Sequence, residues 1–180
     1  MIRIILTGFL LSISILGYSQ DDKMFPYMEA ETLTNKMIDL PKDLAGSYSL
    51  LALAYSKKSE SLLSSWFQPL YQQFIAEPDP NAFFAIEYEL DVYFIPMFTG
   101  AKRAAYQKTM KKLKETVDPK MQDNVLFYKG TLKEYKKALD FQGMDLPYFY
   151  VLDKEGKIVY TTTGKYTRQK MQEIIDAINP

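Results

Sequence analysis

Serine, tyrosine, lysine and the carboxylates are the side chains through which this chain could do chemistry, because its 180 residues include no cysteine and no histidine. Without cysteine there is no thiolate nucleophile and no redox dithiol. The sequence also lacks the usual zinc ligands and every Ser-His-Asp arrangement. An all-oxygen Mg²⁺ or Ca²⁺ site stays open, but no calcium-loop spacing occurs. We therefore expect no thiol–disulfide activity and assign no catalytic residue, no metal and no cofactor.

A serine-rich segment near the start of a predicted helix holds the polar candidates. Ser61 and Ser64 could hydrogen-bond a ligand, although capping or lining the helix start is the favoured interpretation. Glu60 with Lys58 could form the convergent pair that a non-redox enzyme needs. A local pair of this kind is more often a solvated helix start.

An aromatic-rich stretch, residues 93–98, is the best candidate for a binding surface. Tyr93, Phe94 and Phe98 stand in it together with Met and Pro, a composition typical of peptide and protein contacts. The alternative, a loop that fills the core as it crosses the molecule, is equally favoured.

The charge balance argues against two classes of partner. Lys and Arg total 22 and equal the 22 Asp and Glu, so no long-range attraction to nucleic acid or to an anionic membrane is expected. One predicted helix, residues 101–117, is nevertheless strongly basic. A solvated face is the expected explanation, and an anionic partner site is the alternative. Its basic residues are Lys102, Arg103, Lys108, Lys111, Lys112 and Lys114.

The amino terminus predicts export. Residues 1–19 combine a short basic start, an apolar run over residues 4–16 and small residues at −3 and −1 of a cut after Ser19, which is a secretory signal peptide. The apolar run is shorter than the ~20 residues that cross a bilayer, which argues against an uncleaved anchor. We expect a periplasmic or secreted bacterial protein with no stable membrane insertion after cleavage. Residues 20–30 are predicted to be a lead-in with little regular structure.

The remaining chain, residues 31–180, predicts one α/β domain. A short β-ribbon around Asn35 comes first, followed by a buried strand over residues 49–55 and a helix that begins near Ser59 or Ser61. A second strand over residues 82–88, the basic helix and a third strand over residues 124–128 follow. An antiparallel hairpin and a terminal helix over residues 167–178 end the chain. This order predicts a central mixed sheet flanked by helices.

Three features resemble the thioredoxin-like superfamily: Pro69 inside the first helix, the Leu146-Pro147 step, and the hairpin of residues 149–160 with its D-x-x-G turn. The resemblance implies a C-x-x-C position at the start of the first helix. Counting places that position at Lys58–Ser61 or at Ser61–Ser64, and neither choice offers a sulfur. It also implies that Pro147 corresponds to the family's cis-proline and that Leu146, Pro147 and Tyr148 line a peptide groove.

Within that superfamily, the pieces SSWFQPL (residues 64–70), VLFY (residues 125–128) and the VLD hairpin are similar to mitochondrial ATP synthase assembly factors. Those factors act through protein binding, so the resemblance implies a redox-inactive module with a protein or peptide partner. Two alternatives remain open. One is a peptide-holding chaperone, and the other is a non-redox enzyme that uses carboxylate, Lys or Tyr chemistry in the proline groove.

Overall fold

A computed structural model describes residues 23–76, 88–143 and 145–179. The predicted signal peptide and most of the predicted strand at residues 82–88 lie outside the described residues. The strands are β1 (Met28–Thr32), β2 (Met37–Leu40), β3 (Tyr48–Ala54), β4 (Leu90–Thr99), β5 (Leu126–Gly130), β6 (Tyr148–Leu152) and β7 (Ile158–Thr163). The helices are α1 (Lys57–Leu70), α2 (Tyr106–Thr116), α3 (Lys133–Ala138) and α4 (Arg168–Ile178).

The strands form one mixed sheet in the order β2-β1-β5-β4-β3-β6-β7. Strand β3 is central and pairs parallel with β4 and antiparallel with β6. Strand β5 extends the sheet parallel to β4, and β1 pairs antiparallel with β5 and with β2. The predicted fold class, a mixed sheet flanked by helices, is confirmed.

The two faces of the sheet carry separate cores, because successive residues of a strand point to opposite sides. Leu50 and Ala52 pack with α1 and α4 on what we call the α1 face. Leu51 and Leu53 pack with Tyr135 of α3 on the α3 face. All of residues 50–54 are fully buried, as the continuous apolar run predicted.

Helix α1 covers the α1 face with Leu63, Trp66 and Leu70. Trp66 is fully buried, and its indole Nε1 donates to the carbonyl oxygen of Gly164 at 2.9 Å. Its ring lies 4.3 Å from the ring of Phe149 in β6, measured between centroids. Trp66 is therefore a core residue. Pro69 lies inside the helix, and a π-helical turn, Tyr71–Ile75, follows directly.

The aromatic-rich stretch is a strand of the sheet and not an irregular surface segment. Strand β4 runs from Leu90 to Thr99 and contains all of residues 93–98. Pro96 is accommodated because it stands opposite Ala54, the last residue of β3, where the ladder with β3 ends. Phe94 and Phe98 are buried, in agreement with the core-filling alternative, although the segment is a strand and not a loop.

The packed domain begins earlier than the boundary expected at Glu31, which falls inside β1. Phe25 and Met28 are buried, and the Phe25 amide donates to the carbonyl oxygen of Gly156 at 3.0 Å. These residues therefore belong to the core and not to a loose lead-in. Within the described part of the chain, no helix combines the length and apolarity that crossing a membrane requires.

Candidate functional site at the first helix

Two serines form a reciprocal cap at the start of α1. Ser56 is the N-cap residue, and its hydroxyl accepts from the Ser59 amide at 3.0 Å. The Ser59 hydroxyl accepts in turn from the amides of Ser56 at 2.9 Å and Tyr55 at 3.1 Å, and it donates to the Ser56 carbonyl oxygen at 2.9 Å. Both hydroxyls are thus held by the backbone that they cap.

The two capping serines have the spacing of a C-x-x-C motif at the observed start of the helix. Ser56 follows Tyr55 directly, and Ser59 stands three residues later with its Oγ 3.2 Å from the Ser56 Oγ. The sequence Ser56-Lys-Lys-Ser59 therefore occupies the motif spacing at the helix start. Both positions counted from the sequence, Lys58–Ser61 and Ser61–Ser64, lie inside α1, which begins at Lys57.

Ser61 and Ser64 are exposed residues within α1 itself. The Ser64 hydroxyl donates to the carbonyl oxygen of Ser61 at 2.7 Å, a local bond within one helical turn. Neither serine caps the helix, and neither lines the cavities described below. Their predicted part in ligand binding is not supported by any neighbouring group.

Glu60 and Lys58 do not form the convergent pair that was considered for an enzyme. The Glu60 carboxylate pairs with Lys102 at 2.5 Å, and Lys58 pairs with Asp145 at 3.2 Å. The two charges therefore have separate partners on different sides of the helix start. Among the described residues, no group of three or more acidic side chains is placed to hold a metal ion.

The segment around Pro147 lies beside the start of α1. Pro147 and Tyr148 are buried, whereas Leu146 is 37% exposed. The Tyr148 ring stacks near that of Tyr55 at a centroid distance of 6.3 Å, and its hydroxyl donates to the Gly143 carbonyl oxygen at 3.0 Å. The Leu146–Pro147 bond is not cis; in the described ranges the cis peptide is Leu40–Pro41. The resemblance therefore gives the position of this proline but not its isomer.

Two buried tyrosines near this segment, Tyr55 and Tyr150, are neutral at physiological pH because their pKa values are raised. Burial, together with the neighbouring Tyr148 and Asp145, raises the pKa of Tyr55 to about 12. Burial also raises the pKa of Tyr150, whose hydroxyl donates to the Leu139 carbonyl oxygen at 2.9 Å. A phenol with a raised pKa is a poor general base near neutrality, so these groups provide hydrogen bonds and packing.

The sheet separates the predicted binding residues. Tyr93 packs on the α3 face, as do Tyr148 and Tyr150, whereas Phe94 packs on the α1 face. Phe98 shares the alternation of Phe94 and packs against α2. Leu146 and Tyr148 line a cavity of about 410 Å³ beside Thr161–Thr163 of β7, while Phe94 and Phe98 line a different one. The strand period therefore excludes one groove that joins Phe94 and Phe98 to residues 146–148, whereas Tyr93 shares a face with Tyr148.

An apolar cleft lies between α1 and α2 on the α1 face, with a volume of about 640 Å³. We call it the α1–α2 cleft. Phe67 of α1 and Tyr71, the first residue of the π-helical turn, are 46% and 40% exposed in its wall. The Phe67 ring stands at 89° to the ring of Phe94, 4.8 Å away between centroids. Its apolar lining includes Leu63, Phe67, Tyr71, Phe94, Pro96, Phe98, Leu113, Val117, Met121 and Val125.

Three residues of this site were missed from the sequence, Ser56, Phe67 and Tyr71, whereas Ser59 was expected near the start of the helix. Ser56 ends an apolar run and begins an S-x-x-S pair, a spacing that could have identified the cap. Phe67 and Tyr71 carry no such signal. Their apolar side chains suited the core face of the helix, and only the gap between α1 and α2 leaves them exposed.

Several solved structures share this architecture. A Chlorobium tepidum protein assigned as thiol:disulfide interchange protein DsbE aligns with a TM-score of 0.54 at 16% identity, over 87% of this chain and 96% of its own. Yeast Sco1 aligns with a TM-score of 0.51 at 18% identity, over 88% of this chain and 96% of its own. BsSco, a member of the Sco family of cytochrome c oxidase assembly proteins, aligns with a TM-score of 0.54 at 13% identity, over 87% of this chain and 94% of its own. The fold is therefore thioredoxin-like, and this protein is a cysteine-less member of that class.

The chain belongs to the ATP10 protein family, whose family model matches residues 17–179. That match confirms the resemblance to ATP synthase assembly factors that was drawn from residues 64–70, residues 125–128 and the final hairpin. No curated protein matches the chain.

Proposed function

We propose that the protein is an exported, redox-inactive thioredoxin-like module that binds another protein and serves its assembly. Membership of the ATP10 family supports an assembly role. The likeness to BsSco, whose family assembles cytochrome c oxidase, is consistent with that role at the level of the fold. The signal-peptide pattern of residues 1–19 supports a periplasmic or secreted location, where a chain without cysteine avoids stray thiols.

The observation that carries this proposal is the Ser56–Ser59 cap. At the start of the first helix, two serines with the C-x-x-C spacing bond the helix backbone through their hydroxyls, and a serine without a nearby base is a poor nucleophile. Without redox chemistry at this position, the function left to the fold is the binding of another protein. The α1–α2 cleft supplies a binding surface next to that corner, because its exposed aromatic rings are the residue types that dominate protein contacts.

Affinity capture with the full chain tests the proposal. We expect one recurring partner, identified by mass spectrometry, whose recovery falls about tenfold in a Phe67→Ser variant. A Met37→Ser variant is the matched control, because Met37 is 50% exposed on β2 and lies outside the cleft. Circular dichroism must show both variants folded. Equal recovery with Phe67→Ser and wild type would contradict the cleft, and capture of no recurring partner would contradict the function.

Cell fractionation tests the location separately. We expect the native chain in the extracytoplasmic fraction, with its amino terminus at Gln20. Retention in the cytoplasm of its own host would contradict export without affecting the binding proposal.

A further inference from the structure

We propose that the occupant of the α1–α2 cleft is an amphipathic helix of the partner that carries acidic residues beside its apolar face. The inference rests on the proposed protein-binding function and adds the chemistry of the partner. It follows from the shape of the cleft, from its apolar floor and from the charges along one of its walls.

The shape of the cleft suits a helix. On the α1 side the lining residues run from Lys57 through Glu60, Leu63 and Phe67 to Tyr71, three or four residues apart. This stripe covers the 15 residues from Lys57 to Tyr71, so its two ends lie about 21 Å apart along the helix axis. The opposite wall is α2, and the floor is β4 with Phe94, Pro96 and Phe98. A groove of this length between two helices accommodates a partner helix of about four turns through its apolar face.

The charges on the α2 wall are basic. Thr109 and Leu113 line the cleft, and Lys108 and Lys112 precede them by one position, so helix periodicity places these two lysines at the solvent edge of that wall. Both lysines are exposed. Lys114 is directed elsewhere, since its Nζ donates to the Asn35 side chain at 2.7 Å. The basic edge therefore consists of Lys108 and Lys112, four residues apart.

The acidic residues of the cleft are already engaged. Glu60 pairs with Lys102, whose Nζ also lies 5.8 Å above the Phe98 ring. Asp118 accepts from the Lys120 amide at 2.9 Å as the cap of the following turn. Lys57 stands at the α1 end of the cleft. The charges that line the cleft balance, with Lys57 and Lys102 against Glu60 and Asp118, so the positive charge that an entering helix meets is that of Lys108 and Lys112 at the α2 edge, which favours carboxylates there.

Other occupants fit less well. A membrane surface is flat, whereas the aromatic rings line the walls of a recess, and the whole chain has a net charge of zero. These facts favour a partner helix over a lipid bilayer. Vesicles that contain phosphatidylglycerol therefore enter the test as the competing outcome.

The test uses two synthetic helical peptides of about 15 residues with the same leucine face. One carries Glu and the other carries Lys at the positions that flank the leucines. Titration of each against the full chain is followed by fluorescence anisotropy. We expect the Glu peptide to bind about tenfold more tightly than the Lys peptide and to weaken as salt rises.

Two charge-reversal variants separate the local effect from net charge. Lys108→Glu/Lys112→Glu should abolish or reverse the preference for the Glu peptide. Lys133→Glu/Lys137→Glu makes the same change in total charge on α3, which lies outside the cleft, and should leave the preference intact. Phe67→Ser should weaken both peptides.

Three outcomes would overturn the inference. These are equal binding of both peptides, an unchanged preference in Lys108→Glu/Lys112→Glu, and Phe67-dependent binding of the vesicles in place of the peptides. If these occur while the affinity-captured partner still depends on Phe67, the proposed function stands and only the acidic helix fails. If partner capture fails as well, the proposed function falls with it.

Discussion

At the scale of single residues, Ser56 and Ser59 determine which chemistry is available at the start of α1. Each hydroxyl satisfies a backbone amide at the first turn of α1, so the pair stabilises the helix start. The cysteine spacing of a redox motif and the spacing of a capping box are the same three residues. A serine pair can therefore retain the local structure while it loses the redox chemistry.

The assignment of this position can be tested with engineered cysteines. We expect Ser56→Cys/Ser59→Cys to form an intrachain disulfide, because the two Oγ atoms are 3.2 Å apart and Ser56 lies outside the regular helix. Ser61→Cys/Ser64→Cys is the matched control, with both residues inside α1. At a fixed glutathione ratio, thiol titration should favour the first disulfide by about tenfold in equilibrium constant. A control pair that oxidises equally well would contradict the assignment.

At the scale of elements, the β6–β7 hairpin depends on one glycine. Gly156 has φ of +85°, and Asp153 closes the same turn by accepting from the Lys157 amide at 2.8 Å. A Cβ at residue 156 would lie 2.7 Å from the Pro41 Cβ. The turn therefore needs glycine both for its backbone conformation and for the close approach of the segment after β2.

We expect Gly156→Ala to lower the free energy of unfolding by roughly 2–3 kcal/mol, because it adds both backbone strain and a steric clash. Gly143→Ala is the control: its φ is not positive, and the nearest atom to an added Cβ is 3.8 Å away. Urea unfolding of the two variants measures the difference. Equal midpoints would show that the hairpin relaxes without cost.

At the scale of the whole molecule, tyrosine determines the pH dependence of stability. The chain has 14 tyrosines and no histidine, so no side chain with an ordinary pKa near neutrality contributes. Burial, with Asp91 and Asp123 nearby, raises the pKa of Tyr93 to about 12, the value that Tyr55 also reaches. A folded-state pKa above the unfolded value means that stability is full below pH 10 and falls as pH rises toward 12.

We therefore expect unfolding in alkali to coincide with tyrosine ionisation. Tyrosinate absorbance should rise together with the fluorescence change of Trp66, which is the single tryptophan. Between about pH 6 and pH 9 the denaturation midpoint should stay nearly constant. Full tyrosine ionisation while Trp66 fluorescence remains native would contradict the burial of these phenols.

The sequence by itself determined which chemistry is excluded and where several strands and helices lie. Absent cysteine removes thiol chemistry in any fold. Three elements were predictable because their apolar pattern depends only on residues close in sequence. They are strand β3, the β6–β7 hairpin and helix α4. The ATP10 resemblance also came from local pieces of sequence, and the family match confirmed it.

Only the tertiary structure decided which residues share a site. The start of α1 brings the hydroxyls of Ser56 and Ser59 together at the helix terminus, whereas Ser61 and Ser64 lie along the helix. The sheet placed Tyr93 and Phe94 on opposite faces. Trp66 and Phe67 are adjacent and both apolar, yet one is fully buried and the other lines an open cleft. The exposure of a side chain depends on which distant parts of the chain pack against it. A local sequence pattern does not contain that information.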